Sequence, residues 1–228
     1  MQSKILVSGV SLALAVALAP AAVAKPKPPT PPGTGAAAVT IAAKPAVLVF
    51  GGSTMLSGRV SGAKAGVVVR LEADDTRPYG DAYKATGARA TTANNGSYAL
   101  NVKPLLNTRY RVVAQASPPV TSATTLVRVR MLVGLNLSDP TPVRGSLLRF
   151  SGTVFPAHDG RAVSIQKRSP SGRFITVSRT ILRDAGDARS TYTRRMRVFR
   201  DGVYRVKVAG DADHINGFSR LRNVRVHG

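Results

Sequence analysis

A set of short motifs in the middle of the chain returns 94 positions later, and no other feature constrains the fold as strongly. Each copy contains a Ser-Gly-x-Val motif, a lone tyrosine and a Tyr-Arg-Val motif in the same order. These lie at 57–60 and 151–154, at Tyr98 and Tyr192, and at 110–112 and 204–206. Repeats of about 20 to 50 residues build solenoids, whereas a period of this length corresponds to a whole domain. The repeat therefore predicts two tandem domains of one fold.

The residue pattern within each copy is typical of β-strands. Short alternating runs are separated by Gly, Pro, Asn and Asp, and helical periodicity does not persist for three turns. In the first copy we predict strands at 47–50, 54–60, 67–71, 97–102, 110–114 and 125–131, with a long connection at 72–90. In the second copy we predict strands A to G at 133–137, 146–154, 161–168, 173–182, 190–198, 202–209 and 219–227. We therefore expect an all-β chain.

Each copy resembles the bacterial immunoglobulin-like repeats of secreted and cell-surface proteins, which hold about seven strands in about 100 residues. The resemblance depends on a Gly-x5-Ser-Gly-x-Val motif at 51–60 and 145–154, on the segment 201–206 and on the closing strand. It implies two tandem immunoglobulin-like β-sandwiches, at 39–132 and 133–228. It also implies a structural tyrosine corner at Tyr204, and at Tyr110 in the first copy. The chain has no Cys and no Trp, so the disulfide and the buried tryptophan of antibody domains are absent.

Residues 1–24 have the features of a cleaved secretory signal peptide. A basic residue, Lys4, precedes an apolar run at 5–19, and Ala22 and Ala24 occupy positions −3 and −1 of a cleavage site. The apolar run is too short to span a bilayer comfortably. We therefore expect the protein to be exported.

The segment 25–38 is a Pro- and Ala-rich spacer by composition, because proline at this density favours an extended conformation. The mature protein is expected to begin at Lys25 and to be secreted or otherwise extracytoplasmic, in the periplasm, the cell wall or the medium.

The formal net charge is +22, from 33 Lys and Arg against 11 Asp and Glu. Such a chain is attracted to anionic surfaces at low ionic strength. Period-two alternation along strands F and G of both copies places apolar residues inside and basic residues outside. The predicted anion-binding residues are Arg109, Arg111, Arg128, Arg130, Arg205, Lys207 and Arg225. The simpler interpretation is that solvent-facing positions must be polar and that a GC-rich genome supplies arginine.

Loops B–C and F–G lie at the same end of an immunoglobulin-like sandwich. In the second copy they contain five residues able to bind a metal ion or a polar ligand, namely His158, Asp159, Asp211, Asp213 and His214. Asp and Gly are also the residues that turns require, and the spacing matches neither a zinc motif nor an EF-hand. We therefore predict no metal and no cofactor.

The acidic residues of the first copy all fall in the connection at 72–90. Calcium binding is one interpretation of this group, and a solvated loop that balances Arg70 and Arg77 is the other. The group comprises Glu72, Asp74, Asp75 and Asp81.

The sequence contains no Gly-rich phosphate loop, no Gly-x-Ser-x-Gly motif and no paired carboxylates on rigid elements, so we do not expect an enzyme. The expected function is that of a non-catalytic, exported structural or binding module at the envelope or cell surface, whose basic faces engage anionic polymers. The alternative is an accessory protein that binds carbohydrate or an acidic polymer for a separate enzyme. An enzyme with a site at the loop tip is a third hypothesis. The expected partners are anionic cell-envelope polymers or another surface protein, without specific recognition of nucleic acid.

Overall fold

The computed structural model describes residues 38–62 and 65–228, and within these ranges the chain forms 18 strands and no helix. The all-β prediction is thereby confirmed. The signal peptide predicted at 1–24 and nearly all of the spacer predicted at 25–38 lie outside the described residues. No helix in the described ranges is long and apolar enough to cross a membrane.

The first sandwich consists of two sheets that enclose an apolar core. Its strands are β1 (Ala42–Lys44), β2 (Val47–Val49), β3 (Thr54–Arg59), β4 (Val68–Asp74), β5 (Lys84–Thr91), β6 (Ser97–Val102), β7 (Thr108–Ala114), β8 (Val120–Thr121) and β9 (Thr125–Val133). One sheet has the order β1-β3-β6, and the other runs β5-β4-β7-β9, with β2 added parallel to β9. Between them lie Leu56, Val69, Leu71 and Val112. The predicted connection at 72–90 was wrong, because it contains β5, whose sequence is mostly Ala, Thr and Gly and gives little strand signal.

The second sandwich repeats this arrangement. Its strands are β10 (Asn136–Leu137), β11 (Leu147–Phe155), β12 (Ala162–Arg168), β13 (Phe174–Ile181), β14 (Arg183–Asp184), β15 (Ser190–Arg197), β16 (Gly202–Val208), β17 (Ile215–Phe218) and β18 (Arg222–Val224). One sheet has the order β10-β11-β15-β14, and in the other β13-β12-β16 is completed by β17 and β18. The core includes Leu148, Phe150, Ile165 and Val206.

Two predicted strands of the second copy differ in the structure. The segment predicted as strand D at 173–182 forms β13, which pairs with β12 and so belongs to the opposite sheet. The strand predicted at 219–227 is present only as β18, three residues long, and the longer β17 ends just before the predicted range. Strand pairing depends on partners distant in the chain, which an alternating pattern alone does not reveal.

Strand β9 belongs to both sandwiches. Its odd-numbered residues from Val127 to Val133 are buried, with Val127 in the first core and Met131 and Val133 in the second. The strand pairs with β7 and β2 in the first sandwich and with β17 and β11 in the second. The predicted boundary between residues 132 and 133 therefore falls within a continuous strand.

Candidate functional site

The loop between β11 and β12 and the loop between β16 and β17 meet at one end of the second sandwich, as the sequence predicts. Of the five residues predicted there, the structure brings His158, Asp211 and His214 together, with one ligand atom from each lying within 4.8 Å of the others. Asp159 is engaged elsewhere and accepts a hydrogen bond from the hydroxyl of Ser190 at 2.6 Å.

The fifth predicted residue, Asp213, is exposed and stands outside the cluster, although its backbone carbonyl accepts a hydrogen bond from the Asn107 N–H. Arg161 was not predicted, because nothing in its sequence context distinguishes it from the other arginines. Its guanidinium lies 3.2 Å from Asp211 Oδ2.

Asp211 is the centre of this cluster. His158 Nε2 lies 3.0 Å from Asp211 Oδ2, and His214 Nδ1 lies 3.9 Å from Asp211 Oδ1. The two imidazole rings pack edge to face, with centroids 4.9 Å apart. The Asp211 carboxylate also accepts hydrogen bonds from the backbone N–H groups of Asp213 and His214, which fixes the turn that carries His214.

Backbone carbonyls fix the orientation of both histidines. His158 Nδ1 lies 3.0 Å from the carbonyl oxygen of Pro156, and His214 Nε2 lies 2.8 Å from that of Leu105. A carbonyl can only accept, so each of these ring nitrogens carries a hydrogen. The remaining nitrogen of each ring, Nε2 of His158 and Nδ1 of His214, then faces Asp211.

The protonation states follow from burial and neighbours. Burial lowers the pKa of His214, against the opposing effect of its hydrogen bond to the Leu105 carbonyl, so this ring is neutral at neutral pH. Burial works to raise the pKa of Asp211, but the backbone N–H groups of His214 and Asp213, together with His158 and Arg161, outweigh it and hold the pKa below its usual value. Asp211 is therefore ionised.

The cluster adjoins the contact between the two sandwiches. Asn107 of the first sandwich is buried, and its side chain donates to the Ala212 carbonyl at 3.1 Å and accepts from the Val129 N–H at 2.9 Å. The Tyr79 hydroxyl also donates to the Ala212 carbonyl, at 3.0 Å. Since His214 itself bonds to Leu105, the loop that carries Asp211 and His214 is held from both sandwiches.

The predicted basic residues of strands F and G lie on the outer faces of their sheets, but they differ in accessibility. Arg128 and Arg225 are exposed, whereas Arg109, Arg130 and Lys207 are half-buried. Arg111 is bound by Glu72, with Nε 2.6 Å from the carboxylate, and stacks over the Tyr83 ring.

Arg205 lies between two aromatic rings. Its guanidinium carbon lies 3.9 Å from the ring centroid of Phe174 and 4.5 Å from that of Phe218, while Nε donates to Gln166 Oε1 at 2.8 Å. Arg130, from β9, approaches the same Phe218 ring at 5.7 Å. The outward direction predicted for Arg205 is correct, but neighbouring aromatic rings cover the side chain.

A groove of about 650 Å³ lies at the start of β16, at the other end of this strand from the histidine cluster. Four basic side chains line it. Three of them were not predicted as a group, because Lys167 and Arg168 end β12 whereas Arg200 lies in the distant connection between β15 and β16. The fourth is Arg225. The one carboxylate in the lining, Asp201, already accepts the backbone N–H of Val226 through Oδ1.

The acidic connection of the first sandwich is organised by its own backbone. Asp74 is buried, and its carboxylate accepts the N–H groups of Gly80, Thr76 and Ala82, with the Gly80 bond the largest cause of its lowered pKa. Because Asp74 closes the loop and Glu72 pairs with Arg111, the four acids do not form a cation site among the described residues.

Comparison with known proteins leaves the family open. No protein-family model matches the chain, and no curated protein matches it. Among solved structures, the chain is similar to a tetra-tandem repeat from the extending region of a large adhesion protein, with 14% identity, a TM-score of 0.35 and coverage of 83% of this chain and 49% of that one. It is also similar to red sea bream transglutaminase, with 13% identity, a TM-score of 0.41 and coverage of 84% and 31%. It is similar as well to bovine butyrophilin, with 10% identity, a TM-score of 0.38 and coverage of 83% of this chain and 99% of that one.

Proposed function

We propose that this chain is an exported, non-catalytic module of two immunoglobulin-like sandwiches that binds anionic polymers of the cell envelope. The observation that carries the proposal is the groove at the start of β16, where Lys167, Arg168, Arg200 and Arg225 converge around a single, already bonded carboxylate. A groove with several cations on low-dielectric walls concentrates the electrostatic field and attracts polyanions.

The rest of the surface supports the same function. Within the described residues, only Arg111 and Arg161 of the lysines and arginines lie within ion-pairing distance of a carboxylate. On the outer face of the second sandwich, Arg149 of β11 lies directly opposite Arg195 of the neighbouring strand β15. Like charges in this position are unfavourable in the free protein. A bound polyanion relieves that repulsion and adds contacts without shape-matched recognition.

Binding to heparin and to polyphosphate over a series of salt concentrations tests the proposal. When binding releases counterions, the logarithm of the association constant falls linearly with the logarithm of the salt concentration. We therefore expect clear binding at low ionic strength that is largely lost by about 0.3 M salt. Absence of binding at low salt would contradict polyanion binding altogether.

Two triple variants with the same change in charge test the role of the groove. We expect Arg168→Ser, Arg200→Ser and Arg225→Ser together to weaken polyphosphate binding about tenfold or more, because each lost phosphate contact removes its released counterion. The matched control replaces Arg59, Arg70 and Arg89, which are exposed on the first sandwich. An equal loss in both triples would show that binding is spread over the whole surface.

A further inference from the structure

The ring nitrogen His214 Nδ1 is buried and has no hydrogen-bond partner. His214 is one of the largest fully buried side chains of the chain, and its other nitrogen is committed to the Leu105 carbonyl. A buried nitrogen with an unused lone pair costs free energy unless something binds it. Its surroundings place it beside His158 Nε2 and the Asp211 carboxylate.

The hydrogen bonds around the cluster are those that orient metal ligands. A histidine that binds a metal through one nitrogen commonly donates its other N–H to a backbone carbonyl or a carboxylate. Both histidines do so here, to the carbonyls of Pro156 and Leu105. The Asp211 carboxylate is held in turn by backbone N–H groups and by Arg161.

We propose that His158, Asp211 and His214 form a binding site for a divalent transition metal ion of the zinc type. Zinc binds nitrogen and carboxylate oxygen at about 2.0–2.2 Å in tetrahedral geometry, which separates the ligand atoms by about 3.3 Å. His158 Nε2 lies 3.0 Å from Asp211 Oδ2 and His214 Nδ1 lies 3.9 Å from the other oxygen, Oδ1. One ligand atom from each residue lies within 4.8 Å of the others, so metal binding draws the two loops slightly closer together. Three protein ligands leave a fourth position for water or for a group on a partner.

An ion pair without a metal explains the cluster less completely. A protonated His158 satisfies its own contact with Asp211, because both of its ring nitrogens then donate. His214 Nδ1 remains without a hydrogen-bond partner in that arrangement, because it lies 3.9 Å from Asp211 Oδ1, beyond hydrogen-bonding distance. A divalent metal ion binds the lone pairs of both rings and at the same time neutralises the negative charge of Asp211.

The position of the site gives the metal a structural effect. The metal ion would link the loop after β11 to the loop before β17. Through the hydrogen bond of His214 to Leu105 it would also stabilise the contact between the two sandwiches. A ligand that binds only the folded state raises stability in proportion to the logarithm of its concentration. The proposal is independent of polyanion binding, which depends on the groove at the opposite end of β16.

Calorimetric titration of the full chain, purified without a histidine tag, with Zn²⁺ tests the site. We expect one Zn²⁺ per chain and a rise in melting temperature of about 5 °C or more at a hundredfold excess over Kd. Co²⁺ in place of Zn²⁺ is expected to give the visible absorption of a tetrahedral site. Ca²⁺ and Mg²⁺ prefer oxygen ligands and are expected to have no effect.

Variants of His158 and Asp211 test the site, and a variant of His227 provides the matched control. His158→Gln, whose amide can still donate to Asp211, and Asp211→Asn are expected to weaken Zn²⁺ binding at least a hundredfold. His227→Gln alters an exposed histidine outside the cluster and is expected to bind as the unaltered chain does. The proposal is overturned if the unaltered chain shows no saturable binding of Zn²⁺ or Co²⁺, or if His158→Gln binds as tightly as His227→Gln.

Discussion

The repeated Ser-Gly motif owes its glycine to a tyrosine on the neighbouring strand. Gly152 pairs across the sheet with Tyr192, and the Tyr192 hydroxyl passes over it to donate to the Gly134 carbonyl at 2.6 Å. A Cβ on Gly152 would collide with that carbonyl. Gly58 and Tyr98 form the same pair in the first sandwich, and burial raises the pKa of Tyr98 to about 12, so its hydroxyl remains a donor.

The tyrosine corner predicted at Tyr204 was wrong, because its hydroxyl does not make the expected hydrogen bond. The ring is buried against Phe150, with Lys167 above it, but the hydrogen bonds of the described residues include none from its hydroxyl. The tie between strands instead comes from Tyr192.

Comparison of two single-atom deletions tests this assignment. Tyr192→Phe should lower the free energy of unfolding by about 1–1.5 kcal/mol, because the Gly134 carbonyl loses its partner. Tyr204→Phe removes a hydroxyl without such a bond and should stay within about 0.5 kcal/mol. Urea unfolding of both variants measures the difference, and a larger cost at Tyr204 would contradict the assignment.

At the scale of the strands, aromatic rings determine how the arginines behave. The outer face of β13, β12, β16 and β17 places Arg205 between Phe174 and Phe218, so this arginine contributes packing as well as charge. An exposed strand arginine such as Arg225 lacks ring contacts of this kind. Alternation therefore predicts the face on which a side chain lies, but not what covers it there.

The enclosed arginine should be sensitive to a change that keeps its charge. Arg205→Lys removes the planar stacking on both rings and the bond to Gln166, and we expect a loss of about 1–2 kcal/mol. Arg225→Lys is the control and should change stability by less than about 0.5 kcal/mol. If both variants unfold at the same urea concentration, the ring contacts do not contribute to stability in solution.

At the scale of the whole molecule, the two sandwiches are connected by more than a linker. Strand β9 supplies both cores, and the buried side chain of Asn107 joins Val129 of this strand to Ala212 of the second sandwich. Unfolding of either sandwich therefore disrupts strand pairing in the other. We expect the two to unfold together.

Removal of the Asn107 side chain should separate the two transitions. Asn107→Ala leaves the Val129 N–H and the Ala212 carbonyl without this partner, at a cost of about 2–3 kcal/mol. Scanning calorimetry should show one transition for the unaltered chain and two for the variant. Asn94→Ala, at an exposed turn, is the control and should retain a single transition. Two transitions in the unaltered chain would show that β9 does not couple the sandwiches.

The sequence by itself determined the all-β class, the positions of most strands and the residues that face inward, because alternation and turn chemistry are local properties. It also predicted that His158 would approach Asp211 and His214, since their loops share one end of the sandwich. Only the tertiary structure decided that β13 joins β12, that Arg205 lies between two rings, and that His214 bonds to Leu105. These contacts join residues from different strands or from different sandwiches. They depend on how the sheets pack against each other, which no local pattern encodes.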